Sequence, residues 1–274
     1  MHDRTGHRAE REFDALIRFR DNCLRGETVA GVFQKTPARQ VTEVLAISGL
    51  DFAVLDSEHA LIGSDAIDQI LAAARARGFP VLIRVPELRP GSLGALLDAG
   101  GAGIVVPHVV DPEAARQAVA AVRFKNGVRG LSTSGRAGSY GQASLPNYMD
   151  ACDAATSVWC QVEDAQAVEN IDAICKVDGV DALFVGRADL MRSLGARSIA
   201  DPAVTAAVER VAEFANAAGR RLAIFINDPA EATRLREWGY SIFVCGSDQS
   251  MLGAHARLMH TLIAADPPCA GAAS

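Results

Sequence analysis

The sequence predicts a (β/α)8 TIM-type barrel preceded by one N-terminal helix, and three observations lead there. From residue 28 onward, short β-rich apolar runs alternate with amphipathic stretches, the pattern of βα units around a parallel sheet. Eight such runs occur in the 274-residue chain, the number and size of a single closed barrel. Capping signals agree with the alternation: Pro112 and Pro202 suit first helical turns, and Gly78 and Gly219 suit helix ends. A doubly wound open sheet is the alternative, and eight parallel strands favour closure.

Taken in order, residues 1–12 are dense in charge and are expected to form a flexible tail leading into a helix over 13–25. Strands are expected at 28–33, 52–56, 81–85, 103–107, 158–163, 182–186, 222–226 and 242–245. Helices between them include 66–77, 113–122, 165–176, 202–218 and 229–238, with Ser64 and Asp111 as N-caps. Residues 126–145 hold five Gly and four Ser and no long apolar run. A loop of that length in a compact domain is a functional or partner-contact segment. A single barrel domain thus spans 13–264, and 265–274 is expected to be a flexible tail.

Composition narrows the function classes. Half of the chain is apolar (49%) and 22% is charged, as in a soluble globular protein. A net charge of −6 and a pI near 5.5 argue against nucleic acid or an anionic membrane as partner. No apolar run approaches the roughly 18 residues that span a bilayer, and the charged N terminus lacks the apolar stretch of a signal peptide. The six cysteines show neither CxxC nor zinc-ligand spacing. They read as reduced thiols in a cytoplasmic protein.

Chemistry concentrates at the strand ends. Asp56-Ser57-Glu58-His59 closes the apolar run Phe52-Ala53-Val54-Leu55. Arg84 ends Val81-Leu82-Ile83, Glu163 follows the fifth strand and Asp189 lies just past the sixth. Burying such groups unpaired costs several kcal/mol, and active sites of these barrels lie at the C-terminal ends of the strands. Glu163 and Asp189 are hard oxygen donors that suit Mg²⁺ or Mn²⁺ (Co²⁺ is also accommodated) better than zinc. Arg84 offers a fixed fork of donors for a carboxylate or a developing enolate oxygen. An imidazole exchanges protons near neutral pH, so His59 is a base candidate, with Asp56 holding its tautomer. Lys35 lies in a loop after the first strand and no lysine is expected at a strand end, which argues against a Schiff-base aldolase.

These residues carry a resemblance. Phe52-Ala53-Val54-Leu55-Asp56-Ser57-Glu58-His59, Ile83-Arg84-Val85-Pro86, Val105-Val106-Pro107, Gln161-Val162-Glu163 and Phe184-Val185-Gly186-Arg187-Ala188-Asp189-Leu190 resemble the HpcH/HpaI family of metal-dependent 2-oxo acid aldolases. The similarity runs in order from about Leu24 to Leu262. It implies Glu163 and Asp189 as metal ligands with Gln161 nearby, Arg84 against the pyruvate enolate, and His59 with Asp56 as the proton-transfer pair. It further implies that Asp98 serves a neighbouring subunit's site and that the backbone from Gly186 to Ala188 receives the pyruvate carboxylate. By the same resemblance, the last helix swaps between subunits in a hexamer built as a trimer of dimers. Arg187 departs from the family, which usually has proline there. Two readings stand equally: contact with an anionic substrate tail, or an outward salt bridge.

Other candidates have two readings each. His108 faces the site or is a packed or solvent-facing histidine, and Glu58 acts through a metal-held water or structurally. Arg129 and Arg136 either act, ordering their loop or reaching an acidic substrate group, or are solvated loop arginines. Gly246-Ser247-Asp248 cradles an anion or caps the last helix, and capping is favoured. Trp159 and Trp238 are packing residues. The function expected is a class II aldolase joining or cleaving pyruvate, or a related 2-oxo acid such as hydroxypyruvate, and an aldehyde. In cleavage, His59 or a water on the metal takes the C4 hydroxyl proton, the C3–C4 bond breaks, and the enolate remains beside Arg84 until protonated. The alternatives are a citrate-lyase-like enzyme of a larger acid or CoA thioester, and a non-catalytic 2-oxo acid binding protein.

Overall fold

The computed structural model describes the backbone of residues 6–264 and the side chains from residue 13 onward. Eight parallel strands close a barrel in chain order: β1 (Val29–Gln34), β2 (Phe52–Asp56), β3 (Val81–Arg84), β4 (Gly103–Val106), β5 (Ser157–Val162), β6 (Ala182–Val185), β7 (Arg221–Ile226) and β8 (Ile242–Ser247). The helices are α1 (Gly6–Arg25), α2 (Arg39–Ala46), α3 (Ser64–Ala76), α4 (Pro90–Asp98), α5 (Pro112–Val122), α6 (Leu145–Ala155), α7 (Ala165–Glu169), α8 (Ile171–Cys175), α9 (Arg187–Ser193), α10 (Pro202–Ala217), α11 (Glu231–Glu237) and α12 (Asp248–Ala264). The expected barrel is therefore the observed one, and its strands lie within two residues of their expected bounds. Of the expected tails, residues 1–5 and 265–274 lie outside the described residues, and α1 begins at Gly6.

Side chains alternate across each strand, and this sorts them into two cores. Val32, Ala53, Leu55, Ile83, Ile104, Cys160, Val162, Leu183 and Ile224 face outward under the helices. Phe33, Phe52, Val54, Leu82, Val105, Trp159, Phe184 and Val244 fill the barrel interior. Fully burying one such large apolar side chain stabilises by roughly 1.5–3 kcal/mol. Gly31 is inward too: a Cβ there would come within 2.6 Å of the Phe52 ring, so glycine leaves the space that Phe52 occupies. Helix α1 closes the N-terminal end of the barrel, with Phe19 5.2 Å from Phe52 and 6.4 Å from Trp159 between ring centroids. The opposite end is left open.

Several local expectations change. Ser64 is the first residue of α3 and caps nothing; Gly63 holds the N-cap position. Asp111 does cap α5, accepting from the Ala114 amide at 2.8 Å. The helix expected over 165–176 divides into α7 and α8 at Asn170, whose side chain donates to the Val110 carbonyl at 2.9 Å. The Gly/Ser-rich segment is packed rather than loose, with a 3-10 turn at Arg136–Gly141. Arg136 donates to Ala99 O and Asp68, and Arg129 to Asp98, so both arginines order the segment. Ser247 caps α12 by accepting from the Ser250 amide at 3.1 Å.

Candidate active site

The alternation that fills the interior also delivers the charge. Counting by two along each strand, Phe52 and Val54 are followed by Asp56, Leu82 by Arg84, Trp159 by Gln161 and Glu163, and Phe184 by Gly186. His59, Arg84, Gln161, Glu163, Gly186, Arg187, Ala188 and Asp189 line one cavity of about 310 Å³ at this end. The strand-end groups expected from sequence are thus brought together, with Asp56 behind the cavity wall; Asp98, expected to serve a neighbouring subunit's site, is not among them.

Asp56 is fully buried behind Arg84, to which it is paired in register across β2 and β3. Arg84 donates Nε at 3.1 Å and Nη2 at 2.8 Å to the two carboxylate oxygens, the bidentate geometry that fixes a guanidinium most firmly. Lys35 Nζ lies 3.2 Å from the same carboxylate, and the backbone amides of Glu58 and His59 donate to it at 3.3 and 3.1 Å. Burial alone would raise the Asp56 pKa; the hydrogen bond and charge of Arg84, with the His59 amide and Lys35, outweigh it and hold the carboxyl below its ordinary value. Contrary to expectation, Asp56 therefore does not steer the His59 ring. Its oxygens are taken by Arg84, Lys35 and main chain, and it binds His59 through the backbone. The imidazole is about half exposed at the mouth, with Nε2 3.9 Å from Glu58 Oε2.

Glu163 is buried opposite. Its Oε1 accepts from the His108 amide at 2.9 Å, and its Oε2 accepts from Gln161 Nε2. Burial raises its pKa, against the lowering effect of those donors. Gly186 is what makes room: a Cβ there would stand 2.7 Å from Glu163 Oε2 and 3.1 Å from Gln161 Nε2. His108 adopts a left-handed backbone (φ 53°), which aims its amide at Glu163 while its Nδ1 meets Asp164 Oδ2 at 2.9 Å. That hydrogen bond raises the imidazole pKa, burial opposing it and the Glu163 charge adding to it.

The donor set suits a hard divalent cation. Glu58, His108 and Glu163 place potential ligand atoms within 4.8 Å of one another. Gln161 Oε1 is a buried acceptor with no hydrogen-bond partner, a costly state, and Glu58 Oε2 accepts no hydrogen bond although Arg84 Nε and His59 Nε2 lie 3.3 and 3.9 Å away. Asp189 faces the same cavity from the first turn of α9, where its Oδ1 accepts from Arg192 Nε at 3.3 Å.

Two candidates sit elsewhere. Asp98 ends α4, the helix that returns from β3 to the start of β4, so it lies at the opposite end of the barrel. There it accepts from Arg129 at 2.7 Å and the Tyr148 hydroxyl at 3.0 Å. Arg187 lines the cavity, but its guanidinium grips Glu231 of α11 (2.6 and 3.2 Å) and the Phe225 carbonyl (2.9 Å). Of its two expected readings, the salt bridge is the one formed. Two contributors were missed: Lys35, and Phe33, whose ring lies 4.5 Å from the Arg84 guanidinium carbon. β1 ends at Gln34, one residue later than expected, so Lys35 stands directly at a strand end. Counting by two from Phe33 would have found it.

Residues 30–254 match the model of the HpcH/HpaI aldolase/citrate lyase family. The chain belongs to the HpcH/HpaI aldolase/citrate lyase family. The 5-keto-4-deoxy-D-glucarate aldolase of Enterobacter sp. (strain 638) is 38% identical over 210 residues, covering 76% of this chain and 81% of that one. An HpcH/HpaI aldolase/citrate lyase family protein from Burkholderia cenocepacia J2315 superposes with a TM-score of 0.84 at 31% identity, covering 90% and 98% of the two chains. Citrate synthase SbnG superposes at 0.81 with 28% identity, over 89% and 96%. This HpcH/HpaI protein is accordingly an aldolase or lyase of that type.

Proposed function

We propose that the chain is a divalent-metal-dependent aldolase acting between pyruvate, or a related 2-oxo acid, and an aldehyde. The observation that carries this reading is a guanidinium fixed by Asp56 facing the same cavity as the desolvated, cation-ready carboxylate of Glu163. Glu163 and Asp189 would hold the metal, with Gln161 Oε1 and Glu58 Oε2, which accept no hydrogen bond, beside it. When bound, Mg²⁺ or Mn²⁺ supplies Lewis acidity toward the oxygens of the 2-oxo acid.

The chain's own residues do the rest. Gly186 and Ala188 receive the 2-oxo acid carboxylate, as the family resemblance implies. His59, half exposed at the cavity mouth and beside Glu58, takes the proton of the C4 hydroxyl. As the C3–C4 bond breaks, its electron pair enters the pyruvate enolate, and Arg84 stabilises the developing oxygen charge. Arg84 needs no reorganisation to do so, because Asp56 holds it in place beforehand.

A homo-oligomer is part of the proposal, by resemblance a hexamer in which Asp98 serves a neighbour. Along α12 no side chain is buried, and Leu252, Leu258, Leu262 and Ile263 are more than half exposed, an apolar face that assembly would cover. The free thiols of Cys23, Cys152, Cys160 and Cys175 are buried, which suits a reducing cytoplasm. Among the described residues no helix is long and apolar enough to cross a membrane.

The deciding experiment measures pyruvate release from a panel of 4-hydroxy-2-oxo acids, with EDTA and then with Mg²⁺ or Mn²⁺ restored. Release abolished by EDTA and recovered with metal is expected. Release indifferent to EDTA overturns the metal dependence. The likeness to citrate synthase SbnG motivates a second arm. Citrate formed from oxaloacetate and acetyl-CoA, with no pyruvate released, would replace the aldolase reading.

A further inference from the structure

We infer that Lys35 is a specificity residue whose ammonium binds a carboxylate at the end of the substrate remote from its 2-oxo acid group. The inference rests on the proposed function in one respect: it takes the 2-oxo acid end to lie at β5 and β6, between Glu163 and Gly186.

Barrel topology separates the two ends of the cavity. Strand β1 stands four places from β5 in the closed order, so Lys35 and Glu163 rise from opposite walls. A 2-oxo acid anchored on the β5–β6 wall extends its far end toward β1. Three cationic side chains line the cavity among the described residues: Lys35, Arg84 and Arg187. Arg84 is committed to Asp56 through two hydrogen bonds and lies 3.3 Å from Glu58 as well. Arg187 commits both terminal nitrogens to Glu231 and the Phe225 carbonyl, leaving only its buried Nε without a partner. Lys35 differs, since its ammonium has three donors and meets one oxygen of Asp56 at 3.2 Å while keeping 29% exposure.

Lys35 is also held at its root. The backbone amides of Lys35 and Thr36 donate to the two oxygens of Asp248, the first residue of α12, at 2.9 and 3.0 Å. This clamp fixes where the side chain enters the cavity. Phe33 lies beneath, with its ring centroid 5.9 Å from Nζ, and Ser247, Ser250 and Asn227 supply polar neighbours along the same wall. Asp56 already receives both Arg84 donors and two backbone amides, so it remains satisfied when the ammonium turns toward a ligand. One ammonium balances one negative charge, and it does so among Asp56, Glu58 and Asp189; a single carboxylate is therefore the matching group.

The test uses two ligands of equal length that lack the 4-hydroxyl and cannot be cleaved: 2-oxoglutarate, with a distal carboxylate, and 2-oxopentanoate, with a methyl group there. Their affinities for the full-length chain are measured calorimetrically with Mn²⁺ present. Wild type should favour 2-oxoglutarate by about tenfold or more, the scale of one hydrogen bond to a charged group. Lys35→Met should erase that preference while still binding 2-oxopentanoate, which also reports that the variant is folded, and Lys35→Arg should keep most of it. No preference in wild type, a preference that survives in Lys35→Met, or equal weakening of both ligands would overturn the inference. Turnover is not read in this experiment. A Lys35-dependent preference in a chain that releases no pyruvate would therefore remove the aldolase reading and leave the role of Lys35 standing.

Discussion

Two buried aspartates, one at each end of the barrel, show what separates a structural ion cluster from a functional one. At the closed end, Asp181 accepts from Arg20 at 3.1 and 2.8 Å, from Arg123 at 3.3 Å and from the Val158 amide at 2.8 Å. The two arginines direct their remaining donors to the carbonyls of Asp153, Ala154 and Thr156. Helix α1 seals this cluster, and among the described residues none of its three members leaves a buried side-chain atom without a partner. At the open end Asp56 is equally well satisfied, but the groups around it are not. Gln161 presents a buried oxygen with no hydrogen-bond partner on the cavity wall, and Glu58 Oε2 accepts no hydrogen bond, its nearest cation being Arg84 at 3.3 Å. Completed polar networks rigidify a fold; incomplete ones beside a cavity mark where something else is to bind.

The largest effect expected from this contrast is on stability, at the closed end. Asp181→Ala removes the anion between two arginines and orphans the Val158 amide. Breaking a buried pair in this way costs about 3–5 kcal/mol. Denaturant unfolding should show a much lower midpoint, while the folded fraction keeps its turnover number. A change in turnover at unchanged stability would mean that the closed end belongs to the site after all.

Sequence reading succeeded where one local rule decides the answer. Strand positions, the closed barrel and the inward aim of Arg84 and Glu163 all follow from two-residue alternation in apolar runs. It failed where loop conformation decides. Nothing local announces that His108 takes a left-handed backbone to aim its amide at Glu163, or that Arg187 turns to Glu231 across 44 positions in the chain. The expected Asp56–His59 side-chain pair failed for a related reason. Residues leaving a strand end point in different directions, and Asp56 continues the inward series while His59, three positions on, swings to the mouth. Lys35 was a one-residue error in where β1 ends, and it changed the cavity's charge.

The next effect in size is on chemistry, at the open end. Arg84→Ala should lower kcat by about 10²-fold or more, the usual loss on removing one donor to a developing oxyanion. Asp56 would keep Lys35 and two backbone amides, so thermal stability should fall less than in Asp181→Ala. The two variants together are the sharpest test of the comparison: one should move the unfolding midpoint, the other kcat. A near-normal rate in Arg84→Ala would remove Arg84 from the mechanism.

The smallest effect concerns an ion pair that stands at the open end and lies between the two cases. Arg187 spends both terminal nitrogens on Glu231 and the Phe225 carbonyl and leaves only its buried Nε without a partner, so its position beside the cavity does not by itself make the pair functional. The Arg187 hydrogen bond holds the Glu231 carboxyl below its ordinary value, partial burial opposing it and the Arg187 charge assisting. A folded-state pKa below the unfolded one means that the pair stabilises at pH above the unfolded value, about 4.3 for glutamate, and that this contribution fades as pH falls through the folded value. Glu231→Gln should therefore cost up to about 1 kcal/mol near neutral pH, as for other partly exposed pairs. The gap to wild type should close in acid, where both side chains are neutral. Unfolding midpoints measured at pH 7 and at successively lower pH check the sign. A gap that persists in acid would mean Glu231 acts through shape rather than charge. A shift in the preference for 2-oxoglutarate over 2-oxopentanoate in this variant would mean that freeing Arg187 gives the cavity a second carboxylate-binding cation, and the pair would then belong with Lys35 rather than with Asp181.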